Sequence, residues 1–254
     1  MWNDLFLVPF LSGLCLALLL PVLGCFLRLR DEWLAALAYA HVAAAGALLA
    51  LVAGLAPMLG GIGAAALVGA GKRFFPKRLA GGAAFVLLLL AGWATAVLLT
   101  ANQPLAERLG NALFDGQLYF SDSSNFYLLL LWSLFALPVL FHLSSQLLLA
   151  RIYPDYFHAR HLPVWPVLSG FDLLAALSLA LATTTLGVMS SFALVFVPPW
   201  IVFSRARTWR SGIFLAALIG LLGYSAAFAL ALGFDQPFGP VLALLLVMVG
   251  LVIA

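Results

Sequence analysis

Residues 33–55 read WLAALAYAHVAAAGALLALVAGL, a run of membrane-spanning length with one polar ring inside it, His41. About twenty apolar residues suffice for a transmembrane helix, and an imidazole within one must find a partner, face water or bind something. From the residues alone two readings of His41 stand side by side. It is either a neutral core histidine bonded to a neighbouring helix or a functional group.

The rest of the chain supplies the context. Its 254 residues are 65% hydrophobic and 8% charged, and the mean hydropathy of +1.16 exceeds what a soluble core requires. Apolar runs of spanning length recur from end to end, without the ten-residue alternation of barrel strands. The pattern predicts an all-α, polytopic membrane bundle of about eight or nine transmembrane helices, organised as one domain over residues 1–254. The first run is read as a span and not as a secretory leader, because Asp4 stands where a basic region belongs and no small-residue cleavage site follows. Cys15 and Cys25 both lie in that span, so neither a disulfide framework nor a CxxC zinc motif is implied.

Spans are expected near residues 5–27, 34–55, 56–71, 82–101, 125–149, 169–186, 187–203, 212–233 and 238–254. With the N-terminus outside, eleven of the twelve basic residues fall on the inner side: Arg28, Arg30, Lys72, Arg73, Lys77, Arg78, Arg151, Arg160, Arg205, Arg207 and Arg210, against Arg108 outside. The positive-inside rule is thereby met. The net charge of +3 therefore reads as membrane orientation, with no nucleic-acid partner.

Four segments between and within the runs stand out. The third span, GLAPMLGGIGAAALVGAG at 54–71, is so small-residued that it is expected inside the bundle. An outer loop at 102–124 contains LFDGQLYFSDSS and is expected to fold back as a short helix or to dock a partner. The largest inner loop, at 151–168, reads RIYPDYFHARHLPVWPVL. Its Pro154 and Asp155 suit a helix first turn, giving a short amphipathic helix; the other reading is a solvated connector held at the surface by Trp165. Asp172, just beyond it, is expected at the interface. Finally, TTTLGVMSSFALVFVPPWIVFSRAR at 183–207 places Gly187, Pro198 and Pro199 in apolar sequence. Such breaks free backbone carbonyls and mark a gate or hinge, or else a structural kink.

No P-loop, HExxH or GxSxG is present, so any nucleotide hydrolysis must come from another polypeptide. The intramembrane polar candidates are His41, His142 and the hydroxyls at Thr183–Thr185 and Ser190–Ser191. His142, near the inner end of its span, is read as structural, satisfied by snorkelling or by Ser144.

Several of these stretches, in order, resemble the membrane subunits of ABC importers for zinc, manganese or iron, the ABC-3 metal permease family. GCFLRLRDEWLAALAYAHVAAAG matches that family's first-loop and second-span block at Gly24, Phe26, Arg30, Ala40, His41 and Gly46. LFDGQLYFS at 113–121 is similar to its external segment, and YPDYFHAR at 153–160 to its ATPase-contacting loop. LGVMSSFALVFVPP matches at Gly187, Leu194 and Pro198, and DQPFGP at Asp235, Pro237 and Gly239. The resemblance implies an ABC-3 permease-like fold and a paired, typically homodimeric permease in the bacterial inner (plasma) membrane. It implies two ABC ATP-binding subunits inside, an extracytoplasmic metal-binding protein outside, and a divalent ion, zinc or manganese, as cargo with no stably bound cofactor. On that reading His41 is a transient metal ligand, and Pro154, Asp155, Tyr156, Phe157, His158, Ala159 and Arg160 form the coupling loop.

Two departures bear on the chemistry. The family commonly has an acid four residues before the histidine, on the same helix face; here that residue is Leu37. RLAGGAAFVLLLLAGWA at 78–94 also lacks acids and histidines. A degenerate permease with a different substrate, or a non-transporting membrane scaffold, is the rival reading, and an intramembrane enzyme is the third.

Overall fold

The computed structural model describes residues 2–75, 82–116, 118–153 and 155–253, excepting the side chains of residues 2–5, Asp115, Phe120 and His158. The described elements are helices throughout: α1 (Trp2–Leu29), α2 (Trp33–Val52), α3 (Pro57–Gly71), α4 (Gly82–Asn102), α5 (Pro104–Asp115), α6 (Ser123–Ile152), α7 (Asp155–Ala159), α8 (Trp165–Leu186), α9 (Val188–Phe203), α10 (Trp209–Gly233) and α11 (Phe238–Ile253). Single 3-10 turns follow at Lys72–Phe74 and Leu118–Phe120. Apart from α5 and α7, these helices coincide with the nine expected runs. Six of them, α1, α2, α4, α6, α8 and α10, are long and apolar enough to cross a membrane. Three are shorter, with 15 residues in α3 and 16 in each of α9 and α11. At 1.5 Å per residue they span at most about 24 Å of a hydrocarbon core about 30 Å thick.

The helices run between two chemically different ends. Arg30 of the α1–α2 turn meets Lys72's neighbours Glu32 and Asp172, and Trp209 packs edge-on against Phe26, so the α1–α2, α3–α4, α6–α8 and α9–α10 connections share one end. This basic end carries nine described cations, from Arg28 to Arg210, while Arg108 sits on α5 at the opposite end. Lys77 and Arg78 lie outside the described residues.

Packing divides around two central helices. α1 lies against α6, α9 and α10, and α2 against α3, α4 and α8, although α1 and α2 are neighbours in sequence. Small residues set how closely the backbones approach, as expected where lipid removes the hydrophobic drive between helices. A methyl group on Gly46 would collide with Gly60 O and Ala64 of α3, and one on Gly60 with Gly46 O and Ala50 of α2. Pro199 has no N–H to offer the Val195 carbonyl four residues back. That freed carbonyl instead lies against Gly24 of α1, where any side chain would overlap it.

α3 differs from its expected interior position. Gly61, Ala65 and Gly69 form one buried stripe, but Leu59 is 69% exposed and Leu67 77%. Small residues occur all round the helix, but those that are buried recur at a spacing of four, so the full burial is on that one face, while Gly63 and Ala70 are exposed with the leucines.

Candidate functional site

His41 lies near the middle of α2, half-buried. Its Nδ1 is 2.8 Å from Leu37 O. A carbonyl only accepts, so Nδ1 carries the proton and Nε2 keeps its lone pair. No described group bonds to Nε2. The position that resembles the family's acid thus contributes its backbone to the site and not a carboxylate. The imidazole packs between Trp93 of α4 and Phe114 of α5, with ring centroids 6.3 and 6.1 Å away. α4 comes this close because Gly92 has no side chain: a methyl there would stand 2.8 Å from the His41 carbonyl carbon.

The outer loop expected to fold back does so as α5. Its Ala106 and Leu113 are buried beside Ala40, Ala44 and Leu48 of α2, Ala96 of α4 and Val188 of α9. Its first turn carries Glu107, and Leu105, Glu107 and Arg108 face outward. The shortness of α9 and α11 leaves room at this end, and α5 fills it while covering the His41 face.

Gly187 is the single residue between α8 and α9. Its φ of 86° and ψ of 165° belong to backbone essentially restricted to glycine. The chain reverses there, and a methyl would strike Gly116 N at 2.7 Å and Phe114 O at 2.9 Å. The sequence-predicted hinge and His41 are therefore brought together through α5 and Val188. Of the nearby hydroxyls, Thr184, Thr185 and Ser191 bond to carbonyls of their own turn. The Thr183 and Ser190 hydroxyls are buried without a described partner. Pro198 and Pro199 are buried in α9, away from Gly187 and toward the basic end. Arg28 Nη1 donates to Pro199 O at 3.3 Å, and its guanidinium lies 5.4 Å from the Phe203 ring.

The inner-loop segment forms the short α7, with Asp155, Ala159 and Arg160 exposed and Phe157 buried. Tyr156 packs edge-on to Phe157, and Arg160 lies 5.1 Å over the Tyr156 ring. The segment is thus a short amphipathic helix and not a helix-free connector. Pro154 and the side chain of His158 lie outside the described residues. His142 is exposed on α6, and the Ser144 hydroxyl accepts from Trp209 Nε1 at 3.4 Å and not from His142.

A four-charge cluster that no sequence motif marks stands at the basic end. Asp172, expected at the interface, is 5% exposed. Its Oδ1 is 3.0 Å from Arg30 Nη1 and 3.1 Å from Lys72 Nζ, while Glu32 Oε1 is 3.1 Å from Arg30 Nη2 and 2.8 Å from Lys72 Nζ. The cluster ties the α1–α2 turn, the end of α3 and the start of α8 together. The cluster's own Glu32 Oε2 and the Tyr39 hydroxyl of α2 are buried without described partners. An acid within an apolar run signals a need for a cation, but the sequence does not show which of the basic residues answers it.

Among the described residues no group of three or more histidines, cysteines, aspartates or glutamates could hold a metal ion. Among the described residues the His41 site therefore holds one imidazole and no second His, Cys, Asp or Glu grouped with it as a ligand set.

Known proteins bear on this arrangement. The model of the ABC 3 transport family matches residues 3–254. No curated protein matches the chain. Among solved structures, a chain of PsaBC from Streptococcus pneumoniae in complex with Fab is similar at a TM-score of 0.84 and 17% identity, covering 98% of this chain and 91% of that one. A metal-chelate-type ABC transporter in an inward-facing conformation is similar at a TM-score of 0.70 and 16% identity, covering 96% of this chain and 82% of that one. At such identities the likeness speaks for the fold, and the family match speaks for descent. Spanning almost every residue from α1 to α11, that match means that the chain belongs to the ABC 3 transport family, as a multi-pass membrane permease.

Proposed function

We propose that this chain is the permease subunit of an ATP-driven importer for a divalent transition metal, zinc or manganese. The observation that carries the reading is His41 Nε2, a lone pair left free by the Nδ1 bond to Leu37 and held within a membrane-spanning segment. Buried or intramembrane imidazoles ordinarily spend both nitrogens on partners, and a metal-ligating histidine characteristically donates its other N–H to a carbonyl or carboxylate. Two copies of the chain would bring two imidazoles to a shared path. Water and backbone carbonyls would complete the coordination of an ion that normally takes four ligands. A ligand set so sparse suits transit, where the ion must be released again.

The membrane is the bacterial inner membrane, with the N-terminus outside and the basic end inside. There the exposed face of α7, around Asp155 and Arg160, would meet the ATP-binding subunit, and the turn at Gly187 would flex as the bundle rocks between outward and inward openings. A binding protein would deliver the ion at the α5 end. PsaBC is similar in fold, which supports the assembly as a starting point.

Uptake of labelled zinc and manganese by cells carrying His41→Ala tests the reading. Uptake is expected to fall to background at unchanged expression, and wild-type uptake would remove His41 from the path. A permease of this family with another substrate is favoured by Leu37 and by the alanine-lined surroundings of the imidazole. Elemental analysis of the purified complex separates the two, since that alternative predicts no bound transition metal above a mock preparation.

A further inference from the structure

We infer that a groove between α1, α6 and α10 is a binding site for one anionic phospholipid of the inner leaflet. α6 and α10 both pack on α1, and between them they leave a cavity of about 720 Å³. Leu18 and Val22 of α1 form its floor, and Phe141 and Phe214, 57% and 67% exposed, stand as its walls.

The chemistry of the groove is graded along its length. From Leu137 and Ala217 inward it is lined by carbon, whereas Ser144, Ser145, Trp209 and Arg210 gather at its basic end. The Trp209 Nε1 bond to Ser144 Oγ bridges α10 to α6 there and closes the floor. Arg210 is exposed and has no acidic partner among the described residues. Arg151 lies on the same face of α6 as Ser144 and Leu148, three residues beyond Leu148, and is likewise exposed and unpaired among the described residues. One guanidinium, Arg210, thus lines the mouth of an apolar slot, and a second, Arg151, stands about one helical turn beyond it on α6.

The dimensions and charge select the occupant. The lining residues on α6 run from Leu137 to Leu148, about 16 Å along the axis, close to half of the roughly 30 Å hydrocarbon core and so to the depth of one leaflet. An acyl chain fits the carbon-lined part, and a phosphate at the mouth meets the arginines with the bidentate geometry guanidinium favours. Basic pockets between transmembrane helices on the inner side are where anionic headgroups are recognised. A zwitterionic lipid would bring its own cation to the same two arginines, so the site discriminates by headgroup. It would serve whatever the cargo is.

The test uses the full chain, purified in neutral detergent and stripped of lipid. It is titrated with phosphatidylglycerol, with phosphatidylcholine of the same acyl chains, or with inorganic phosphate, while thermal unfolding and lipid adducts by native mass spectrometry are followed. Phosphatidylglycerol is expected to raise the unfolding midpoint and to give a one-lipid adduct, and the other two to do neither. The double variant Arg151→Gln/Arg210→Gln, altered only at exposed positions, is expected to lose both effects while unfolding normally without lipid. Ser145→Trp, which fills the slot and keeps the charges, should lose the adduct; Ser145→Leu is the gentler substitute if the tryptophan variant misfolds. Equal shifts with both lipids, a shift with phosphate alone, or persistence of the adduct in the double arginine variant would each overturn the assignment. So would efficient cross-linking of two Phe214→Cys chains, which would mean that a second copy covers the groove.

Discussion

At the scale of single residues, two polar groups inside the bundle make opposite demands. His41 uses one nitrogen on its own helix and leaves the other free, so its removal orphans no buried charge. His41→Ala is expected to abolish transport while lowering stability by about 1–3 kcal/mol, the worth of one hydrogen bond plus the ring's packing between Trp93 and Phe114. Asp172 is the reverse case. It is buried and holds two cations, and Asp172→Asn would leave Arg30 and Lys72 without that carboxylate charge. A loss of about 3–5 kcal/mol is expected, as for other buried pairs broken from one side, and thermal unfolding of the purified protein reads it directly. Replacing Lys72 by Met and Asp172 by Leu together should recover much of that loss. His41 was legible in the sequence because an imidazole in a run of alanines has few explanations. Asp172 was visible as an oddity, but its partners Arg30 and Lys72 were not, since ion pairs between positions so distant leave no periodic trace in the chain.

At the scale of elements, the apolar runs announced their helices and the turn chemistry announced their ends. Nine runs became nine helices because an apolar segment in lipid must satisfy its backbone internally. What the pattern could not give was the environment of each. α3 is small nearly all round yet buries only the stripe of Gly61, Ala65 and Gly69 and turns Leu59 and Leu67 outward, and the outer loop showed no hint that it would cover the His41 face. Gly187 was legible as a break and became a reversal in glycine-only backbone. Gly187→Ala is expected to cost about 1–3 kcal/mol from backbone strain alone, with more from contact against Gly116, and to lower uptake along with the unfolding midpoint. α7 yields a different expectation. Phe157 is its buried anchor, so Phe157→Ala should weaken recovery of the ATP-binding subunit on copurification while leaving the helical content of the permease unchanged by circular dichroism.

At the scale of the whole molecule, the two ends differ in charge and covering. At the basic end the Arg30–Glu32–Lys72–Asp172 cluster holds the α1–α2 turn, the end of α3 and the start of α8 together, and at the other end α5 covers the His41 face. On the proposed reading the ion path lies between two copies of the chain, and its opening is a movement between states driven by a partner subunit. The central claim is therefore that this permease passes a divalent metal past His41 under the power of a partner ATPase. The measurement that tests it most directly is ATP-dependent accumulation of labelled zinc or manganese in proteoliposomes holding the copurified complex, wild type beside His41→Ala. The account predicts accumulation with the wild type and none with the variant, both complexes being intact. A complex that hydrolyses ATP and accumulates neither ion, or a variant that accumulates as much as the wild type, would contradict it.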